Sequence, residues 1–510
     1  MNILLAASFR SIDLLVIAIY LAAMAAMGVY FSKKNDSTEQ YFLGSRSFPG
    51  WAIGLSMVGT SISSMTFLAF PAAAYTLDWR QVVPNLMLPL VAVVAILVFI
   101  PLFRRGRTTS AFEYLEERFG PLVRLYGAAS FLLLQVVRLG TILYLVSLPV
   151  AALLGVSIYW CLIVGGLFIL FYTVLGGIEA VIWTDVVQTV VLLGGGLLCL
   201  ADILYELPGG FGHVIEVGRE AEKFGVGDFE FDLGGRTVVT MVMVGILSWV
   251  NEYSSNQNVV QRYLSASSTR EARKATAICA VMSVPTWVLF FFIGTALWVY
   301  YQTVPDAAVA GLEADQVFPH FIVTQIPVGL AGLIIASVLA AAMSSLDSSI
   351  NAVSTVTVVD VLKRVVAPGR SDRFYLNWAK AIAVAAGLLM IGGGIVFHNI
   401  EKESMVDLAL IISAVFGGCL CGMFLLGFFT TRVGYAAVLW ATLVATLANV
   451  YFVLNLLGWL PAGWGVEVHS YWVGLLVNVV FVVVAYAVSW VWPAESRDLD
   501  RLTVWTMRVE

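Results

Sequence analysis

The chain has 510 residues, of which 60% are hydrophobic and only 12% charged, and its mean hydropathy is strongly positive. This composition excludes a soluble globular domain and identifies a polytopic membrane protein whose partner is the lipid bilayer. A net charge of −5 says little about partners in such a chain; neither nucleic acid nor an obligate protein partner is expected.

The apolar N-terminus carries Arg10 and runs into a span of about twenty residues without a small-residue cleavage site, so it reads as a first helix. From there, apolar windows predict about thirteen spans, centred on 12–32, 52–76, 81–103, 122–153, 158–177, 182–205 and 237–258, then 276–301, 321–350, 375–397, 404–430, 434–457 and 470–492. The five cysteines all fall inside apolar runs and read as small core residues. The four histidines are scattered without ligand spacing.

Lysine and arginine set the orientation. With the N-terminus outside, nineteen basic residues lie inward, Arg46, Arg104, Arg105 and Arg262 among them, and six lie outward, Lys402 among them. The N-terminus is therefore expected outside and the C-terminus in the cytoplasm.

Two spans are interrupted. The second passes through Gly59-Thr60-Ser61-Ile62-Ser63-Ser64 and meets Pro71; the seventh runs into Asn251 to Asn258, too polar for a lipid-facing helix. They lie five spans apart. Polar breaks at matching places of two five-span halves are the sequence pointer to an inverted-repeat transporter with its site at the breaks. Freed carbonyls there suit a cation, and helix N-termini face an anion. The expected fold is thus an all-α polytopic bundle with a five-plus-five core of broken helices. Its parts are an extra helix and loop (1–50), two repeats (51–205 and 237–430), an intervening outer loop with a short helix (206–236), and two C-terminal helices with a tail (431–510).

Three features carry chemistry. The charge-free apolar run Phe321–Ala342 leads into Ala-Ala-Ala-Met-Ser-Ser-Leu-Asp-Ser-Ser-Ile, residues 340–350. On a helix Ala341, Ser344, Ser345 and Ser348 share one face. Oxygen dipoles on small residues suit a hard, partly dehydrated cation, although Ser and Ala also let membrane helices pack closely. Asp347 favours the cation, because a carboxylate at lipid depth needs a partner or an ion. Arg138 lies fourteen residues past Arg124, about 21 Å of helix, beyond easy snorkelling. Its planar fork suits a solute carboxylate; the other reading is a pairing with Asp185 or Glu252. Asp185, at the start of the sixth span, is a charge-balancing candidate for a second cation. No metal-ligand spacing or Gly-x-Ser-x-Gly stands at depth, which argues against an intramembrane enzyme.

The runs Gly176–Gln188 and Ala341–Ser349 resemble the sodium:solute symporters, and Tyr41-Phe42, Pro49-Gly50-Trp51, Ala111–Glu116 and Asn258–Arg262 match as well. Within that family Ser63–Phe67, Ala74–Trp79 and Arg138 look most like the bacterial sodium/sialic acid symporters. The resemblance implies alternating-access import across the bacterial inner membrane, with sodium as the coupling ion and no cofactor. The solute it implies is sialic acid or a related sugar acid; another monocarboxylate, a neutral sugar or an amino acid is the alternative. It implies a first sodium site at Gly59, Ile62, Ala341, Ser344 and Ser345, and a second at Asp185, Asp347 and Ser348 with Ser344. It implies a solute pocket of Ser63, Thr66, Asn85 and Arg138. Two residues depart from that branch: Asp347 stands where serine is expected, and Asn85 where glutamine is expected.

Overall fold

The computed structural model describes residues 11–33, 35–106, 108–233, 235, 237–400, 418–493 and 498–507. Among these the regular structure is helical, with one isolated backbone bridge, Phe48 to Ala266. The first half holds α1 (Ser11–Ser32), α2 (Gly50–Ser61), α3 (Ser64–Thr76), α4 (Arg80–Arg104), α5 (Pro121–Leu154) and α6 (Ile158–Glu206). The second half holds α7 (Val238–Ser255), α8 (Gln257–Ser265), α9 (Thr269–Thr303), α10 (Ala314–Thr324), α11 (Leu330–Val366), α12 (Asp372–Asn399) and α13 (Leu420–Phe429). Last come α14 (Tyr435–Leu456) and α15 (Ser470–Val491).

Among the described residues nine helical segments are long and apolar enough to span a bilayer, or ten when α2 and α3 count as one bent span. The expected thirteen are not reached for three reasons. At 49 residues α6 is about twice the length a bilayer needs. It covers two expected spans and turns at Gly177, whose φ of 56° and ψ of −157° break the helix. A Cβ at Gly177 would meet the Tyr41 ring and carbonyl at 2.8 Å, so only glycine fits there. Second, the seventh expected span is split into α7 and α8 at Asn256, which is extended (φ −78°, ψ 115°). Third, residues 401–417 lie outside the described residues, which removes Lys402 and most of the expected span 404–430 from view; α13 is its visible end.

One expected span needs correction. The apolar run from Phe321 is not one helix. It breaks over Gln325–Gly329, where Pro327 lacks an N–H and Gly329 takes φ +85°. The membrane helix starts at Leu330 and, as expected, runs on past Asp360. Its new N-terminus is capped from another helix. Asp13 of α1 is buried, and its Oδ1 accepts from the N–H groups of Gly329 (2.7 Å) and Gly332 (2.9 Å). Asp13→Ala is expected to lower stability by about 1–3 kcal/mol, read as an earlier thermal midpoint. Asp13→Asn keeps an acceptor and loses less.

Burial identifies the central element. Of the α11 window, 83% is buried, against 56% or less in the other spans. Around it pack α6, α1, α2, α5, α8 and α12. A sheath of small and polar side chains lets these backbones close on one another. The loop at 206–236 contains the expected short helix, Gly210–Glu220. Past it, Lys223 Nζ donates to the carbonyls of Tyr75 (2.7 Å) and Leu77 (3.1 Å), fastening the loop over the C-terminal end of α3.

Candidate functional site

The break between α2 and α3 frees the carbonyls that the sequence singled out. Because α2 ends at Ser61, the carbonyls of its last turn lack intrahelical donors. Ile62 is extended (φ −103°, ψ 95°) and fully buried, and the helix axis bends by 51° before it resumes in α3. The serine face of α11 stands against this break. Ser344 Oγ donates to Gly59 O at 2.8 Å, and Ala341 O lies 3.2 Å from Ser344 Oγ and 3.5 Å from Ser345 Oγ. Oxygens at such spacing can face one hard cation together. Gly59 is required by packing: a Cβ there would stand 2.6 Å from Thr189 Oγ1 of α6. Gly59, Ala341, Ser344 and Ser345 are therefore brought together, with the buried Ile62 three residues beyond Gly59.

The second constellation is built differently from expectation. Asp185 is fully buried, but its Oδ2 is held by Arg262 Nη2 at 2.8 Å and by the Ser56 hydroxyl at 2.6 Å. The same Arg262 Nη2 lies 2.7 Å from Ser348 Oγ and 2.6 Å from Thr60 Oγ1; its Nε donates to Ser56 Oγ and its Nη1 to Asn258 O. The guanidinium thus stands between Asp185 and Ser348, ringed by oxygens. Asp347 lies beside this knot. Its Oδ2 accepts from the Tyr172 hydroxyl at 2.9 Å and its Oδ1 lies 3.3 Å from Ser348 Oγ.

Arg262 corrects the charge count made from the sequence. It was assigned to an inward loop, yet it is 1% exposed and lies on α8, between α7 and α9 in the chain. The signal for it lay four residues past the polar run Asn251 to Asn258, in the stretch Asn258–Arg262 that the family resemblance had marked. Thr60 belongs to the polar break at 59–64, whereas Tyr172 and Ser56 joined the site unannounced, because a tyrosine or serine in an apolar run is indistinguishable from core.

Arg138 is half-buried on α5, and among the described residues it has no hydrogen bond or ion pair. Both proposed protein partners are engaged elsewhere: Asp185 with Arg262, and Glu252 with the Asn256 amide at 2.8 Å. Ser63 precedes α3 in an extended conformation and its carbonyl accepts from Thr66 N–H; Thr66 is buried. Next to it Phe67 stacks on Phe318 and packs at a tilt on Phe290, fixing the start of α3 against α10 and α9. α3 also packs on α5, the helix of Arg138. Asn85 lies in the short turn Asn85–Met87 within the first part of α4, which packs on α7 and α9.

Three comparisons bear on this geometry. The model of the sodium:solute symporter family matches residues 41–445. The sodium/sialic acid symporter SiaT of Proteus mirabilis (strain HI4320) is 32% identical over 494 residues, 96% of this chain and 98% of that one. NanT of Aliivibrio fischeri (strain ATCC 700601 / ES114), also a sodium/sialic acid symporter, is 30% identical over 501 residues, 98% and 97% of the two chains. A solved structure of a sodium-coupled sialic acid symporter, substrate-bound and outward-open, superposes with a TM-score of 0.88 at 31% identity, covering 96% of this chain and 100% of that one.

Proposed function

The chain belongs to the sodium:solute symporter family, and from that premise we propose that it imports N-acetylneuraminic acid or a related sugar acid together with sodium. It is a transporter and not an enzyme, and its coupling ion is sodium. The observation that carries the choice of solute is Arg138. A half-buried guanidinium without a partner among the described residues, in a chain that matches a sialic acid symporter over 96% of its length, is the natural seat of a carboxylate. Ser63 and Thr66, at the broken start of α3, supply hydroxyls on the helix that packs against it.

Coupling follows from the junction of α2 and α11. Sodium on the Gly59, Ile62 and Ala341 carbonyls and the Ser344 and Ser345 hydroxyls ties the broken helix to the central one. It favours the conformation in which the pocket is formed, and solute then binds more tightly to the sodium-loaded state. The two five-helix halves rock about this site in an integral membrane protein of the bacterial inner membrane, N-terminus outside, without a further protein partner. Asn85, shorter by one methylene than the expected glutamine, favours a second reading in which the solute is a sugar acid other than sialic acid itself.

The reading is tested by titrating purified protein with N-acetylneuraminic acid by calorimetry. Binding is expected in sodium and at least tenfold weaker in potassium. Equal affinity in both salts would refute the coupling. The Ser345 hydroxyl makes only a 3.5 Å contact to Ala341 O, so Ser345→Ala is expected to leave the sodium-free thermal midpoint nearly unchanged. Its half-saturating sodium should rise roughly tenfold, the loss of one ligand worth about 1.4 kcal/mol. An unchanged sodium curve would remove Ser345 from the site.

A further inference from the structure

We propose that residues 499–506 form a strap that ties α13 to the short helix Ala111–Arg118 while the cytoplasmic side of the core is shut, and whose release limits the opening of that side. This rests on sodium-coupled alternating access, and on a cytoplasmic C-terminus, as read above. The strap has a structure of its own. Leu502 N–H donates to Leu499 O at 2.9 Å, the Thr506 hydroxyl donates to the same carbonyl at 2.6 Å, and the Thr503 and Thr506 hydroxyls stand 3.0 Å apart. Thr503 and Leu502 are both buried.

The strap grips the end of α13. The last turn of a helix leaves its carbonyls without intrahelical donors. Here Val504 N–H donates to Phe428 O at 2.9 Å, and the Trp505 indole N–H donates to Phe429 O at 2.7 Å. The buried Arg118 serves the carbonyls on either side, Thr430 O at 2.7 Å and Gly427 O at 3.4 Å. On its other edge the strap receives the Tyr114 hydroxyl, which donates to Leu502 O at 3.0 Å. The Tyr114 ring lies on Phe424 and Phe428 of α13, with centroids 5.9 and 4.8 Å away. Gly427 permits that approach, since a Cβ there would stand 2.7 Å from the Tyr114 hydroxyl oxygen.

The helix Ala111–Arg118 is in turn fastened to the elements that carry the site. Ala111 N–H donates to Gln257 Oε1 of α8 at 2.7 Å, and Arg364 Nε of α11 donates to Glu116 at 2.9 Å. This helix lies between α4 and α5 in the first half, whereas α13 belongs to the second. The strap therefore bridges the two halves at one face of the bundle. Halves that rock against each other cannot keep every contact across such a bridge. The Trp505 ring is 71% exposed, so the bond it makes can break without opening the core.

The test follows backbone hydrogen exchange of segments 420–430 and 498–507 in full-length wild type, Trp505→Phe and Tyr114→Phe, in sodium and in potassium. Sodium favours the state closed to the cytoplasm, so both segments should exchange more slowly in sodium. Each variant loses one hydrogen bond and keeps its ring, and its exchange in sodium should rise roughly fivefold at both segments. In proteoliposomes the two variants, and a chain ending at Arg497, should turn solute over faster than wild type. The point variants decide the matter where the shortened chain fails to fold. Unchanged or slower turnover in both point variants would overturn the strap and leave the tail a purely structural element. A sodium effect on exchange elsewhere in the chain, with none at 420–430 and 498–507, would overturn the strap alone. No sodium effect on exchange anywhere would overturn the sodium-coupled reading along with it.

Discussion

Arg262→Leu is expected to be among the most destabilising single changes in this protein, lowering stability by about 3–5 kcal/mol. The cost arises from what is left behind. Asp185 is fully buried, and its Oδ2 would keep only the Ser56 hydroxyl at 2.6 Å. Ser348 and Thr60, both buried, would lose the donor that now sits between them. Asp347, close by and without an ion pair among the described residues, adds a second carboxylate to the same uncompensated pocket. Thermal unfolding in detergent measures the effect, and the double variant Arg262→Leu/Asp185→Asn separates its parts. Removing both charges of a buried pair is often nearly neutral, so the double variant should recover much of the loss and give a coupling energy well above 1 kcal/mol. A single variant as stable as wild type would show that the pair does not hold α8 to α6.

Arg138→Ala should have the opposite signature. Arg138 carries no partner among the described residues, so its loss removes a desolvated charge without orphaning another. Stability without solute should hold or rise slightly. Binding of N-acetylneuraminic acid should weaken by about 2–5 kcal/mol, a factor of roughly thirty or more, because a charge-assisted carboxylate contact is lost. Arg138→Lys retains the charge but not the fork, and should fall between. Calorimetry on the three proteins decides it. Undiminished binding in Arg138→Ala would transfer the carboxylate role to another group, whereas a large loss of solute-free stability would make Arg138 a structural residue.

Membrane depth made part of this legible in the chain alone. Hydroxyls at 344, 345 and 348 and a polar break at 59–64 are conspicuous inside apolar runs, because bilayer-depth backbone and side-chain oxygens must be satisfied. The same constraint marked Arg138. It failed for Arg262, since counting basic residues between spans presumes that each lies in water, while a short helix after the Asn256 break carries this one inward. It failed for Tyr172, whose hydroxyl matters only once Asp347 is placed beside it by the packing of α6 on α11. The apolar run from Phe321 misled for a local reason: hydropathy continues across Pro327 and Gly329, whereas backbone geometry does not.

The most direct test is uptake of radiolabelled N-acetylneuraminic acid into proteoliposomes, with an inward sodium gradient and with equal sodium on both sides. Accumulation above the external concentration is expected only with the gradient, and it should collapse when the gradient is dissipated by a sodium ionophore. Uptake that merely equilibrates, at the same rate with and without the gradient, would contradict sodium-coupled import.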